Sequence, residues 1–147
     1  MCAVQIKIIN QSDNPLPEYA TTGAAGMDIR ASLEQAVILQ PMERCLIPTG
    51  LFVELPENYE LQIRPRSGMA IKQGITCLNT PGTIDSDYRG EIKVILVNLS
   101  NEAQTIAPGD RIAQMVLAAV SRANLVPVVT IENTDRGAGG FGHTGKK

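Results

Sequence analysis

The 147 residues predict an all-β domain: an antiparallel, jelly-roll-like barrel with one short helix and a flexible Gly-rich C-terminal arm. Three observations carry this expectation. Apolar and polar residues alternate with period two in many short runs, the pattern of half-buried strands. Turn signals separate the runs at Pro41, Pro48-Thr49-Gly50, Pro56-Glu57-Asn58, Pro81-Gly82 and Pro108-Gly109-Asp110. Short strands at close spacing, with 9 prolines among them, disfavour a doubly wound parallel sheet.

From the N-terminus, Val4, Ile6 and Ile8 interleave with Gln5 and Lys7. A β-like run over residues 24–31 encloses a lone Asp28. Residues 36–39 form the next run, then 44–47 and 51–55, divided by the turn at Pro48-Thr49-Gly50. Leu61 and Ile63 alternate with Gln62 and Arg64. A helix is expected over residues 68–73, with Ser67 as its N-cap and Gly74 as its stop. A strand over 75–78 follows. Residues 82–92 read as a hairpin, one arm ending in Ile84-Asp85 and the other leaving through Ile92, Val94 and Leu96. The last strands are expected over 111–118 and 125–131. From Thr134 the chain is Gly-rich with no apolar period, which divides it into a barrel, residues 1–133, and an arm, residues 134–147.

Composition narrows the function classes. With 13 basic and 15 acidic residues the net charge is −2, so a basic footprint for duplex nucleic acid is lacking. No stretch approaches the roughly 20 apolar residues of a membrane helix, and residues 1–9 lack the charged and apolar blocks of a signal peptide. Three cysteines (Cys2, Cys45, Cys77), an odd number without C-x-x-C spacing, suit a reducing cytosol, so a cytoplasmic location is expected. A single histidine, His143, leaves structural zinc and Ser-His catalysis short of material.

Five segments hold chemistry-bearing residues. The turn of residues 82–92 could offer backbone groups to a planar ligand while one carboxylate faces a bound water. Taken in isolation, Asp85 and Asp87 read first as turn formers that bond their own backbone. Arg64-Pro65-Arg66-Ser67-Gly68 opens the helix and has the parts of an anion site, or of a plain cap with two surface arginines. In the strand from Gly109-Asp110-Arg111, Ile112 and Gln114 are expected on one face and Arg111 and Ala113 on the other. Arg111 could brace a carboxylate and Gln114 donate to a phosphate; a solvated strand edge is the alternative. Asp28 is either a turn former or a holder of a metal ion's water shell.

The arm matches two nucleotide fingerprints in letters only. Gly137-Ala138-Gly139-Gly140-Phe141-Gly142 fits G-x-G-x-x-G, but no helix can follow before the chain ends five residues later. Gly140 to Lys146 fits a P-loop except that Lys147 stands where Ser or Thr is required. What remains physically is a flexible segment with one cation, Arg136, and one ring, Phe141, able to meet a phosphate and a base.

In order, Ala25-Gly26-Met27-Asp28-Ile29-Arg30-Ala31, Pro65-Arg66-Ser67-Gly68, Gly82-Thr83-Ile84-Asp85-Ser86-Asp87-Tyr88-Arg89-Gly90-Glu91-Ile92, Gly109-Asp110-Arg111-Ile112-Ala113-Gln114 and Arg136-Gly137-Ala138-Gly139-Gly140-Phe141-Gly142-His143-Thr144-Gly145 resemble the five motifs of the deoxyuridine triphosphate nucleotidohydrolase (dUTPase) family, of the all-β homotrimeric type. The resemblance implies hydrolysis of dUTP to dUMP and pyrophosphate, which limits uracil in DNA and supplies dUMP for thymidylate synthesis. Asp85 would be the general base for water attack on the α-phosphorus. Tyr88 would stack under the deoxyribose. Gly82, the backbone of Thr83, Ile84 and Asp85, and the Asn79 amide would read uracil. Arg66, Ser67, Gly68 and Gln114 would hold the phosphates, with Lys93 also lining the site. Arg136, Phe141 and Gly142 would close over the ligand from the arm. Mg2+ would ride on the triphosphate, reached by Asp28 only through water, and each site would draw on three chains of a homotrimer. No nucleic acid or membrane partner is implied. Two alternatives are a dCTP deaminase-like enzyme, whose branch places a Glu about where Ile95 stands, and a non-catalytic nucleotide-binding regulatory module.

Overall fold

The computed structural model describes residues 3–141. Ten strands and one helix run in the order β1 (Lys7–Asn10), β2 (Met27–Arg30), β3 (Val37–Leu39), β4 (Arg44–Glu54), β5 (Tyr59–Arg64), α1 (Ser67–Gln73), β6 (Ile75–Cys77), β7 (Gly82–Ile84), β8 (Ile92–Asn98), β9 (Gln104–Ile106) and β10 (Arg111–Ala119). They form two four-stranded antiparallel sheets, β1-β4-β8-β6 and β2-β10-β5-β7, and a two-stranded ribbon, β3-β9. The expected all-β antiparallel class is what folds.

The core lies between the two sheets. Ile47, Ile75, Ile92, Val94 and Leu96 from the first meet Ile29, Leu61, Ile63, Ile112 and Met115 from the second, and Leu39 and Ile106 of the ribbon join them. Each buried aliphatic side chain is worth about 1.5–3 kcal/mol relative to exposure. Truncation at a fully enclosed one such as Leu61 is expected to cost about 2–5 kcal/mol.

Four expectations are corrected. Residues 44–47 and 51–55 are not separate strands: β4 runs unbroken through Pro48, with a register shift between Pro48 and Leu51. The bulge absorbs the turn signal, Gly50 taking φ +70°. Residues 82–92 are not a hairpin. β7 pairs with β5 and β8 with β4 and β6, so the intervening loop crosses from one sheet to the other. Both edges of β8 are already occupied, which leaves β7 no edge of it to join. In α1 the N-cap position belongs to Arg66, without a side-chain cap bond, and Ser67 is the first helical residue; Gly74 is the left-handed stop (φ +66°) as expected. Finally, residues 125–131 form no strand. Leu125, Val126, Val128, Val129 and Ile131 are all exposed, and β10 at Ala119 is the last regular element among the described residues.

Candidate active site

The expected site residues fall into two groups and an arm. The first group lines a cleft of about 300 Å3 that includes Asn79, Gly82, Thr83, Ile84, Asp85, Tyr88 and Lys93. β7 makes one wall. It is the edge strand of its sheet, paired through Leu61↔Ile84, Gln62↔Thr83 and Ile63↔Gly82. Its other edge therefore offers unpaired backbone groups, a template that suits the rim of a planar heterocycle. The Asn79 amide lies against Gly82, within 3.3 Å of where a β-carbon would stand.

Beyond β7 the chain turns through Asp85-Ser86-Asp87-Tyr88, closed by the Tyr88 N–H donating to the Asp85 carbonyl at 3.2 Å. Arg89 braces the loop by donating to the Ser86 carbonyl at 2.7 Å. The Asp85 carboxylate is exposed, and among the described residues it takes part in no hydrogen bond or ion pair. The Tyr88–Asp85 main-chain bond and the Arg89 side chain hold the turn, and neither engages the Asp85 carboxylate. The Tyr88 hydroxyl donates to the Glu91 carbonyl at 3.0 Å, and its ring lies so close over Gly90 that any β-carbon there would overlap it. Leu46 and Ile95 complete the cleft with apolar surface.

The second group centres on Asp28 of β2. One carboxylate oxygen accepts from Arg66 Nε at 3.0 Å and the other from Arg111 at 3.2 Å. Arg66 also donates to the Arg111 carbonyl at 3.1 Å, and Gln114 donates to the Pro65 carbonyl at 3.1 Å. Arg111 therefore braces a carboxylate, as its position suggested. The expected two-faced alternation along β10 does not hold: a register shift between Arg111 and Ala113 makes Ile112 and Ala113 consecutive buried residues. Arg111 lies opposite Arg30 and so shares a face with Asp28, two residues along β2, while the shift sets Gln114 opposite Asp28. Ser67 and Gly68 are exposed at the start of α1, where helix N–H groups have no intrahelical acceptor. Arg66 and Arg111 open onto a cleft of about 220 Å3 that includes none of the residues around Asp85, so one chain does not unite the two groups.

In the arm, Arg136 donates to the Gly139 carbonyl at 2.8 Å within a local turn, and Phe141 is fully exposed. Gly142 lies outside the described residues. The residue that sequence reasoning missed is Glu91, which lines the cleft beside Lys93. Period two would have found it, since residues 91, 93 and 95 share one face.

The dUTPase family model matches residues 12–145. The deoxyuridine 5'-triphosphate nucleotidohydrolase of Fusobacterium nucleatum is 58% identical over 146 residues, covering 99% of this chain and 100% of its own. That of Cytophaga hutchinsonii is 62% identical over 141 residues, covering 96% and 92%. Among solved structures, a mutant of the Staphylococcus bacteriophage 80alpha dUTPase with dUpNHpp superposes with a TM-score of 0.84 at 26% identity, over 96% of this chain and 98% of that one. A mutant dUTPase from phage phi11 of S. aureus, with a coordinated structural Mg(II) ion, shares the fold at a TM-score of 0.76 and 24% identity, over 88% and 99%.

Proposed function

The chain belongs to the dUTPase family and hydrolyses dUTP to dUMP and pyrophosphate, and we propose that Asp85 is the general base of that reaction. The observation that carries the proposal is an exposed carboxylate, unpaired among the described residues, at the mouth of a 300 Å3 cleft whose wall is an open strand edge. A carboxylate so placed can take the proton from a water as that water attacks the α-phosphorus in line. The reaction limits uracil in DNA and supplies dUMP for thymidylate synthesis.

The other roles belong to the same proposal. The backbone of Gly82, Thr83, Ile84 and Asp85 bonds the uracil rim with the Asn79 amide beside it. Tyr88 packs against deoxyribose, leaving no room for a 2′-hydroxyl, and Lys93 lines the cleft. Arg66, Ser67, Gly68 and Gln114 hold phosphate oxygens, and Arg136, Phe141 and Gly142 close from the arm, residues 134–147. A cation such as Mg2+ fits this arrangement as a passenger of the substrate. Both oxygens of Asp28 already accept from arginines, so that carboxylate suits contact through water. Bound to the triphosphate, the ion neutralises charge on the phosphate chain.

A homotrimer with shared sites accounts for the separation of the two groups, because a neighbouring chain can bring its Arg66 cluster to the Asp85 cleft. The exposed apolar side chains at 125–131 support association, as does an apolar groove of about 490 Å3 along Val4, Ile6, Ile8, Met115 and Leu117. The free Cys45 and Cys77 are the support for a cytoplasmic location, and among the described residues no helix is long and apolar enough to cross a membrane. Deamination of dCTP is disfavoured, since Ile95 lends the cleft an apolar side chain where that branch carries a proton-shuttling Glu.

Incubation with each deoxynucleoside triphosphate and magnesium, with pyrophosphate as the readout, tests the function. Release from dUTP alone is expected; ammonia from dCTP, or no turnover of dUTP, would contradict it.

A further inference from the structure

Glu91 is where a side chain of the loop that carries the nucleoside cleft meets the β4 bulge. Its Oε1 accepts the Gly50 N–H at 2.9 Å, and its Oε2 lies 3.5 Å from the Lys93 ammonium. Its carbonyl accepts the Tyr88 hydroxyl at 3.0 Å. Next to it, the buried Thr49 hydroxyl donates to the Ile92 carbonyl at 2.6 Å, so two successive bulge residues hold the end of the loop and the first residue of β8. The Glu91 side chain is 21% exposed, enough shielding for a charge-assisted bond to outweigh its solvated competitor.

We infer that Glu91 is a positioning residue, which sets Tyr88 and Lys93 for the nucleoside by tying their loop to the bulge of β4. This rests on the functional reading above, in which those two side chains contact dUTP. Without the carboxylate the Gly50 N–H loses its acceptor, the Lys93 ammonium loses its counter-charge, and the residue bearing the Tyr88 acceptor loses its side-chain tie to the bulge, while Ile92 stays anchored by Thr49. The groups affected meet the nucleoside rather than the attacked phosphorus. The loss therefore belongs in substrate binding more than in the chemical step.

The test compares dUTP kinetics and thermal melting of the wild type with Glu91→Gln, Glu91→Ala, Lys93→Met and the double variant Glu91→Gln/Lys93→Met. Glu91→Ala should raise KM about tenfold with kcat changed by less than about threefold, the scale of one charge-assisted bond lost from binding. Glu91→Gln keeps an oxygen for Gly50 but loses the charge. It should fall between wild type and Glu91→Ala, and it carries the test alone if Glu91→Ala does not fold. On a Lys93→Met background, Glu91→Gln should raise KM less than it does alone, since the shared ion pair is already gone. An active wild type with unchanged KM in the Glu91 variants, whether or not melting falls, overturns the inference and leaves the functional reading intact. Strictly additive KM effects with Lys93→Met overturn it as well. A wild type that releases no pyrophosphate from dUTP overturns the functional reading itself.

Discussion

Asn10 and Asn98, 88 positions apart, end their strands in two corners of the same design. Each carboxamide oxygen accepts the N–H and the hydroxyl of the serine two residues on, at 2.9 and 2.7 Å for both Ser12 and Ser100. Each amide donates at 2.7 Å to a carbonyl four residues on, of Asn14 and Glu102. Each corner presses on a left-handed glycine, Gly50 or Gly74, whose hypothetical β-carbon would fall 2.8 or 2.9 Å from the serine Cβ. The barrel thus uses one backbone solution twice, at β1 beside β4 and at β8 beside β6.

Burial separates the two copies. Asn98 is fully buried and also donates to the Leu39 carbonyl at 2.9 Å, whereas Asn10 is half-buried. Asn98→Ala should cost about 3 kcal/mol, because it strands buried carbonyls, and Asn10→Ala about 1 kcal/mol, because water can replace the lost partner. Urea midpoints of the two variants, at constant m-value, give the comparison. Equal losses would mean that burial is not what sets the cost.

Asp85→Asn keeps the shape of the turn, which main chain closes, and removes the proton acceptor. Turnover of dUTP should fall by roughly 10² or more while nucleotide binding and melting stay near wild type. Calorimetric titration with dUMP alongside pyrophosphate release separates the two effects. Pyrophosphate release near the wild-type rate would refute the assignment.

In solution the particle should have three times the chain mass of 15.8 kDa. Light scattering at micromolar concentration decides this. A monomer there would leave the Arg66 cluster with no route to the Asp85 cleft.

Residues 134–147 contain 5 glycines and one large apolar side chain, Phe141, so little repays their ordering without ligand. Truncation after Asn133 should leave melting temperature and assembly unchanged, because no barrel strand is lost. Hydrolysis should nevertheless collapse, as closure excludes water and positions the phosphate chain. Unchanged hydrolysis would make Arg136 and Phe141 bystanders.

Burial pushes the Cys77 thiol up from 9.0 to about 11. Below pH 9 the thiol is protonated in folded and unfolded chains alike and contributes no slope. Between pH 9 and about 11 the unfolded chain releases the proton while the folded chain keeps it, so stability falls as pH rises. Denaturation at pH 8 and pH 10.5 should therefore show a smaller loss in Cys77→Ala than in the wild type. Equal losses would place the thiol in contact with solvent.

Taken alone, the sequence determined the strand-rich class, the helix stop at Gly74, and the order of the five motifs. These are local facts: side-chain period, glycine at a positive φ, and residue type at short spacing. Tertiary structure decided which strand lies beside which. The alternation in Ile92, Val94 and Leu96 says which face is buried, but not that β4 and β6 occupy both edges and send β7 to another sheet. Likewise Pro48 and Gly50 read as a turn until β8 pairs on either side of them and makes the turn a bulge. The bulge in β10 that turns Ala113 inward beside Ile112 and sets Gln114 opposite Asp28 leaves no mark in residue type at all. Strand neighbours are chosen by packing across long separations, and period two carries a face but no partner.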